Sequence, residues 1–248
     1  MCFLGVGVSL VAQDSQNPLK DYSFSVILLD YDNDAINKGK ISQLKWCYFS
    51  EKTPYKCNLF GGRLSTDFFY KGLNQLTFFK EELGAEGEKL YEPKLKVALG
   101  NPGRKLIVIF GNGKGNYRGL ALEIGENKLP QDQLMMINLS KQPVMAKVGE
   151  RQSLVNAMDS FNFKVSGPTK RFRLPLAMAM NKEGRVKVIE KRKMSFTQGG
   201  RKVMLLYPDR RRPNNLTYSI YNVVDLPPRE FYSEEFEDVE AFEEFLVE

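Results

Sequence analysis

The sequence contains no histidine, and this absence narrows the chemistry that the chain can carry. Histidine is the commonest general base, the usual partner of a nucleophilic serine or cysteine, and a frequent ligand of catalytic zinc. We therefore predict that the protein is not an enzyme and has no catalytic residue, no metal site and no cofactor. A hydrolase that uses two carboxylates is the catalytic alternative, and it would need two acids that converge in a cleft.

Long apolar runs are also scarce. Residues 1–13 carry no charge and are followed by a polar stretch, a pattern that predicts a secretory signal cut near Ala12 or Gln13. No Lys or Arg precedes this run, so a buried strand is the alternative. No other run approaches the ~20 apolar residues that cross a bilayer as a helix, and we expect no transmembrane segment beyond the signal. The predicted location is periplasmic, secreted or cell surface.

Two stretches of sequence occur twice. Residues 42–50 align with residues 132–140, and residues 101–110 align with residues 198–207. A spacing of about ninety residues is too long for a solenoid repeat but fits one small all-β domain. The hydrophobic share of 42% is enough for a folded core, so we predict a tandem pair of such domains that arose from an internal duplication.

Within each copy, short runs of β-forming residues alternate with turn residues, in a rhythm of about seven strands per copy. We predict a first β-sandwich over residues 41–126 and a second over residues 130–226. Residues 14–40 are expected to form a polar spacer and an extra edge strand. The runs at residues 106–110 and 203–207 are apolar on both faces, which predicts strands in the middle of a sheet or beneath a neighbouring domain.

This strand rhythm and repeat resemble the tandem immunoglobulin-like modules found in uncharacterised exported bacterial proteins. The resemblance covers residues 41–225 and implies an all-β fold of two tandem immunoglobulin-like β-sandwich domains. It rests on no active-site motif, so it transfers no functional residue. The Cys, Trp, Cys spacing of antibody domains is absent, because Trp46, Cys47 and Cys57 all fall within one predicted hairpin.

The two cysteines of that hairpin raise the question of a disulfide. If the hairpin is centred near Lys52, Cys47 and Cys57 lie directly opposite one another and both point inwards. A cross-strand disulfide is one prediction for an exported protein. Two small buried thiols are the alternative, because directly paired strand positions strain a disulfide.

Two polar loops have features of ligand-binding motifs. Residues 111–119 are rich in glycine but lack the spacing of a phosphate-binding loop, and we expect a solvated turn. Residues 30–34 carry acids at alternate positions, as calcium loops do. Ala35 stands where an EF-hand has glycine and Ile41 where it has glutamate, so a solvated turn is expected, with a non-standard calcium site as the alternative.

Charge is distributed unevenly along the chain. Residues 230–248 contain nine acidic residues and no basic one, so 36 Lys and Arg face 21 Asp and Glu elsewhere, a net charge of +15. The strand at residues 185–193 is expected to have one basic solvent face and one apolar core face. A charged sheet edge that resists aggregation is one explanation. The other is a polyanion-binding surface formed by Lys170, Arg171, Arg173, Lys187, Lys191, Lys193, Arg210, Arg211 and Arg212.

The acidic tail, residues 229–248, carries apolar residues at helical spacing, namely Phe236, Val239, Phe242 and Leu246. A short amphipathic helix that docks on a sandwich, with its acids facing the basic strands, is one prediction. A disordered tail is the other, because an isolated helix shorter than ~15 residues is marginal in water.

We therefore expect a non-catalytic, exported module of protein interaction or structure in the cell envelope, with a protein or cell-envelope partner. The alternative is a polyanion-binding protein, for nucleic acid or acidic glycan, that uses the basic strands of the second domain. A salt titration distinguishes the two functions, because polyanion binding weakens steeply with ionic strength and binding through a packed protein interface does not.

Overall fold

The computed structural model describes residues 18–29, 43–85, 87–111, 116–182, 184–209, 212 and 215–224. This part of the chain is all-β and contains no helix. The predicted signal, the acidic loop at residues 30–34 and the acidic tail lie outside the described residues, so the predictions made for them stay predictions.

In the described part of the chain, sixteen strands form four sheets of four strands each. The first eight strands are β1 (Lys20–Leu28), β2 (Gln43–Ser50), β3 (Thr53–Phe60), β4 (Phe68–Gly72), β5 (Gln75–Leu83), β6 (Lys89–Ala98), β7 (Gly103–Gly111) and β8 (Tyr117–Glu123). The second eight are β9 (Gln133–Asn138), β10 (Val144–Val148), β11 (Arg151–Val155), β12 (Asp159–Lys164), β13 (Arg171–Lys182), β14 (Arg185–Thr197), β15 (Arg201–Pro208) and β16 (Leu216–Val223).

The two halves of the chain follow the same path. In the first half, sheet A has the order β4-β1-β7-β8 and sheet B the order β3-β2-β5-β6. In the second half, sheet C has the order β12-β9-β15-β16 and sheet D the order β11-β10-β13-β14. Each strand thus has a counterpart eight strands later, and β1 runs parallel to β7 as β9 does to β15. The predicted pair of repeated, sandwich-like domains is confirmed, while the finer immunoglobulin-like assignment stays a prediction.

The first domain begins earlier than predicted. The strand β1 was expected to be an extra edge strand, but it lies between β4 and β7 in the middle of sheet A. It is the counterpart of β9, since Ser23 lies opposite Arg104 in β7 and Gln133 lies opposite Arg201 in β15. The first domain therefore starts with β1 and not near residue 41.

The topology confirms one of the two sequence matches and contradicts the other. The match of residues 101–110 with residues 198–207 is confirmed, because it aligns β7 with β15. The match of residues 42–50 with residues 132–140 is wrong, because it aligns β2 with β9, which occupy different sheets of their domains. Both segments are short and apolar, and such a pattern identifies a strand without identifying its sheet.

Each domain has a core between its own two sheets. In the first domain this core is aromatic, with Phe24, Tyr48 and Phe78 all fully buried and in mutual ring contact. In the second domain the buried residues are mainly Met, Val and Leu around Phe163. Alternating side chains of β1, β7, β9 and β15 enter these two cores, as expected of strands with one face towards the interior.

A third apolar layer joins the domains, because sheet A packs directly on sheet C. Its buried side chains come from the other faces of the same central strands, including Ile27, Val108, Ile137 and Leu205. The described strands therefore form four layers in the order B, A, C, D. The prediction that β7 and β15 are buried on both faces is confirmed, since each lies in the middle of its sheet and beneath the other domain.

The hairpin of β2 and β3 corrects the predicted cysteine pairing. Trp46 lies opposite Cys57, and Cys47 lies opposite Lys56. Because neighbouring residues of a strand point to opposite faces, Cys57 enters the core while Cys47 points to the outer face of sheet B, where its thiol donates to the Phe79 carbonyl at 3.7 Å. Both thiols are buried and free, so the predicted disulfide is wrong and the alternative of two buried thiols applies.

Candidate anion-binding surface

The outer face of sheet D carries a cluster of basic side chains. Phe172, Leu176 and Met178 of β13 are buried in the core of the second domain, so the residues between them point outwards. The strand register continues this face across β10 and β14, because Lys147 and Lys191 both lie opposite Ala177. The basic face is defined here by five exposed residues: Lys147, Arg171, Arg173, Lys191 and Lys193.

No acidic side chain shares the basic face within the part of sheet D that the structure describes. Glu190 of β14 lies opposite the buried Met178 and points inwards, where its carboxylate accepts a hydrogen bond from the Tyr218 hydroxyl. None of the five basic residues forms an ion pair with another described residue. The basic face therefore carries five positive charges that no described carboxylate neutralises.

Lys187 does not belong to this face, although it was predicted to. A β-bulge between Met178 and Ala179 shifts the register, so that Lys187 lies opposite the buried Met180. Its ammonium group donates a hydrogen bond to the Asn215 side chain. The simple alternation predicted for residues 185–193 fails because the bulge reverses the faces on either side of it.

The remaining predicted basic residues lie around the edges. Lys170 is exposed next to β13, and its carbonyl accepts a hydrogen bond from the Gln198 amide at 2.9 Å. Arg210 and Arg211 lie outside the described residues. Arg212 is exposed in the loop after β15. This loop reaches the Lys187 end of β14, roughly ten residues or ~33 Å from the strand end that pairs with Arg171, so Arg212 is not part of the basic face.

Next to the basic face lies a cleft of about 860 Å³, referred to below as the basic cleft. Among the described residues, four basic ones line it and no Asp or Glu does: Arg171, Arg173, Arg201 and Lys202. Ser195, Thr197 and Asn222 add polar groups to its walls. Arg171 and Arg173 border both features, so the basic face and the basic cleft adjoin.

Lys202 is a partly buried cation of the basic cleft. Its ammonium group lies 5.9 Å from the centre of the Phe196 ring and donates a hydrogen bond to the Asn222 side chain. Phe196 stacks on Phe172 at 5.7 Å, which gives the ammonium group an apolar floor. Partial burial lowers the pKa of Lys202, because the charged form loses hydration there. An anion bound beside it would compensate for that lost hydration.

Two equivalent arginines lie at the domain boundary beside the basic cleft. Arg201 is buried and donates to the Leu129 carbonyl at 3.3 Å, and both burial and the positive charge of Arg104 lower its pKa. Arg104 donates to Asp67 at 2.8 Å and to the Val224 carbonyl at 2.7 Å. The guanidinium group of Arg104 thus holds the chain where it leaves β16, at the rim of the basic cleft.

The outer face of sheet D also carries exposed apolar residues beside its charges. Val186 and Val188 are 79% and 61% exposed, and Leu154 and Met145 are 49% and 39% exposed. The register places Leu154, Met145 and Val188 in one row across the sheet, through Ala179. This apolar row contains no aromatic side chain.

The sequence pattern identified part of this surface. Lys147 was missed because it stands alone between apolar residues in a short strand, and Lys202 was seen only as part of the repeated stretch. The fold places both residues on this surface: the register of sheet D sets Lys147 opposite Ala177 of β13, and Lys202 of sheet C lines the same cleft as Arg171 and Arg173.

No protein-family model matches this sequence, and no curated protein matches it. Across the described residues, no group of three or more Cys, Asp or Glu is arranged to hold a metal ion. The same residues include no helix with the length and hydropathy needed to cross a membrane. The case for a function therefore depends on the geometry of the surface.

Proposed function

We propose that this is a non-catalytic binding protein whose basic face and basic cleft bind an acidic polysaccharide. The observation that carries the proposal is the absence of acidic side chains, within the described residues, from a surface with six accessible basic side chains: Lys147, Arg171, Arg173, Lys191, Lys193 and Lys202. Clustered positive charge raises the local concentration of a polyanion and binds it without needing a deep pocket.

The spacing of these charges suits an extended polymer. Lys147 and Lys191 are two strands apart, which corresponds to ~10 Å, and Lys191 and Lys193 are two residues apart, which corresponds to ~7 Å. An extended chain with a charge on successive units can contact several of these groups at once. Each contact is weak by itself, and affinity arises from their number.

An acidic glycan is favoured over single-stranded nucleic acid because the described part of the basic face has no aromatic side chain. Proteins that bind single strands usually stack the bases on exposed aromatic side chains. The outward positions of the described part of sheet D hold no Phe, Tyr or Trp, because Phe172 and Phe196 both point inwards. The basic face is therefore suited to charged groups of the polymer and not to bases, and Phe172 and Phe196 of the basic cleft are buried and offer little ring surface for stacking.

Heparin, a sulfated polysaccharide, is a suitable probe, with its affinity measured across a salt titration. We expect binding that weakens steeply as salt rises, and a clear loss of affinity in Lys191→Gln/Lys193→Gln. Lys45→Gln/Lys56→Gln is the matched control, since it removes two exposed lysines from the outer face of sheet B. Equal losses in both variants would contradict the assignment to sheet D, and tighter binding to single-stranded DNA than to heparin would contradict the ligand class.

The apolar row supports a second candidate, a non-catalytic interaction module for a protein partner in the cell envelope. Exposed Met145, Leu154 and Val188 form a continuous apolar strip of the kind found in protein interfaces. Binding through this row would persist at about 1 M salt, where the Debye length is only about 3 Å. Val188→Ser would weaken such binding, while Lys191→Gln would leave it nearly unchanged.

A further inference from the structure

The chain leaves the described structure at the rim of the basic cleft. Val224 lines this cleft, and its carbonyl is held by Arg104 at 2.7 Å. Residues 225–229 follow, and five residues can span at most about 18 Å. The next stretch, residues 230–248, holds nine acidic residues and no basic one. The acidic segment therefore starts within reach of the basic cleft.

Opposite charge and covalent connection both favour contact between residues 230–248 and the basic cleft. Among the described residues, the lining of the basic cleft includes Arg171, Arg173 and Lys202 and no Asp or Glu. A short tether gives a segment an effective concentration in the millimolar range near its attachment point, so even a weak affinity leads to substantial occupancy. The ammonium group of Lys202 is partly removed from water and gains from a nearby carboxylate more than an exposed lysine does.

We propose that residues 230–248 bind in the basic cleft of the same molecule and compete there with an external polyanion. The competition with an external polyanion rests on the proposed function, whereas the contact between residues 230–248 and the basic cleft does not. The acidic segment acts as an internal competitor that lowers binding of weak or sparsely charged ligands and is displaced by dense polyanions. If it fills the cleft about nine-tenths of the time, the apparent Kd for the polyanion rises about tenfold.

Zero-length carbodiimide cross-linking of the full chain tests the contact directly, because it joins a carboxylate to a lysine amine only when they touch. We expect peptide mapping of the monomer to find tail acids joined to Lys202. Lys202→Arg is the matched control, since it keeps the positive charge but removes the amine, and the link should vanish. Tail acids joined only to lysines of sheet B, such as Lys45 and Lys56, or linked only in dimers, would overturn the inference.

The competition is tested with heparin at low salt, on full chains that differ only in charge. One variant neutralises four tail acids: Glu234→Gln, Glu235→Gln, Glu243→Gln and Glu244→Gln. Its control neutralises four exposed acids of the first domain, for the same change in net charge: Asp21→Asn, Glu82→Gln, Glu88→Gln and Glu92→Gln.

We expect the tail variant to bind heparin several-fold more tightly than the control. Equal affinities of tail variant and control would overturn the competition and leave the proposed function standing. If no variant binds either heparin or single-stranded DNA, the proposed function fails. The cross-link to Lys202 still decides whether residues 230–248 lie in the basic cleft.

Discussion

Ile27 of β1 and Ile137 of β9 occupy equivalent positions in the two domains, and both are buried in the apolar layer between sheets A and C. Equivalent faces of the two modules thus pack on each other, as in a symmetric dimer whose subunits have become one chain. Because this layer is continuous with the central strands of both cores, we expect the two domains to unfold together.

Trp46 makes this coupling measurable, since it is the only tryptophan and lies in the core of the first domain. Phe163→Ala removes a fully buried ring from the second domain, at a cost of about 3–5 kcal/mol. Urea unfolding followed by Trp46 fluorescence should move to lower denaturant by as much as unfolding followed by circular dichroism. A fluorescence transition that stays in place would mean that the domains unfold independently.

The thiols of Cys47 and Cys57 should be present in the native protein and unreactive there. Burial, reinforced by the neighbouring Cys47, raises the pKa of Cys57 to about 12, so little reactive thiolate forms at neutral pH. Alkylation with iodoacetamide followed by peptide mapping should label neither residue in the folded protein and both in urea. A disulfide-linked peptide containing both cysteines would contradict the register of β2 and β3.

The fold was more predictable from sequence than the surface, and particular residues show why. The apolar runs around Val108 and Leu205 have no polar face, and a strand of this kind is stable only where both of its faces are covered. The role of β1 was not predictable, because its pairing with β7 joins residues about eighty positions apart and leaves no local pattern. Lys187 was misplaced because a single bulged residue in β14 reverses the alternation, and no residue type reliably marks such a bulge.

Gly119 of β8 lies close against Val97 and Leu95 of β6, which belongs to the other sheet of the first domain. A Cβ atom there would lie 2.5 Å from the Val97 side chain and 3.2 Å from that of Leu95. Gly119→Ala should therefore lower the free energy of unfolding by about 1–3 kcal/mol. In a urea titration, Val97→Ala should recover part of this loss when combined with Gly119→Ala, because it vacates the same space, and purely additive losses would contradict that explanation.

Tyr218 links sheet C to β14 and should make stability depend on alkaline pH. Burial, with the hydrogen bond to Glu190, raises the pKa of Tyr218 to about 12 from an ordinary value near 10. A raised pKa gives stability that is fully present below the unfolded pKa and is lost as pH rises towards the folded one. The difference in unfolding free energy between the wild type and Tyr218→Phe should thus be constant below about pH 9 and shrink between about pH 10 and 12. A difference that stays constant over the whole range would contradict the contact.

Substitutions at three lysines distinguish binding to the outer face of sheet D from binding along strand β14. These lysines are Lys147, Lys187 and Lys191. Lys187 and Lys191 share β14, but only Lys191 points outwards, while Lys147 points outwards from β10, two strands away. Lys147→Gln and Lys191→Gln should each weaken heparin binding about threefold at low salt, the effect of an exposed ion pair worth ~0.6 kcal/mol. Lys187→Gln should have no such effect, because its side chain already contacts Asn215 on the inner side. If Lys187→Gln weakens binding and Lys147→Gln does not, the ligand follows β14 along its length, and the outer face of sheet D is not the binding surface.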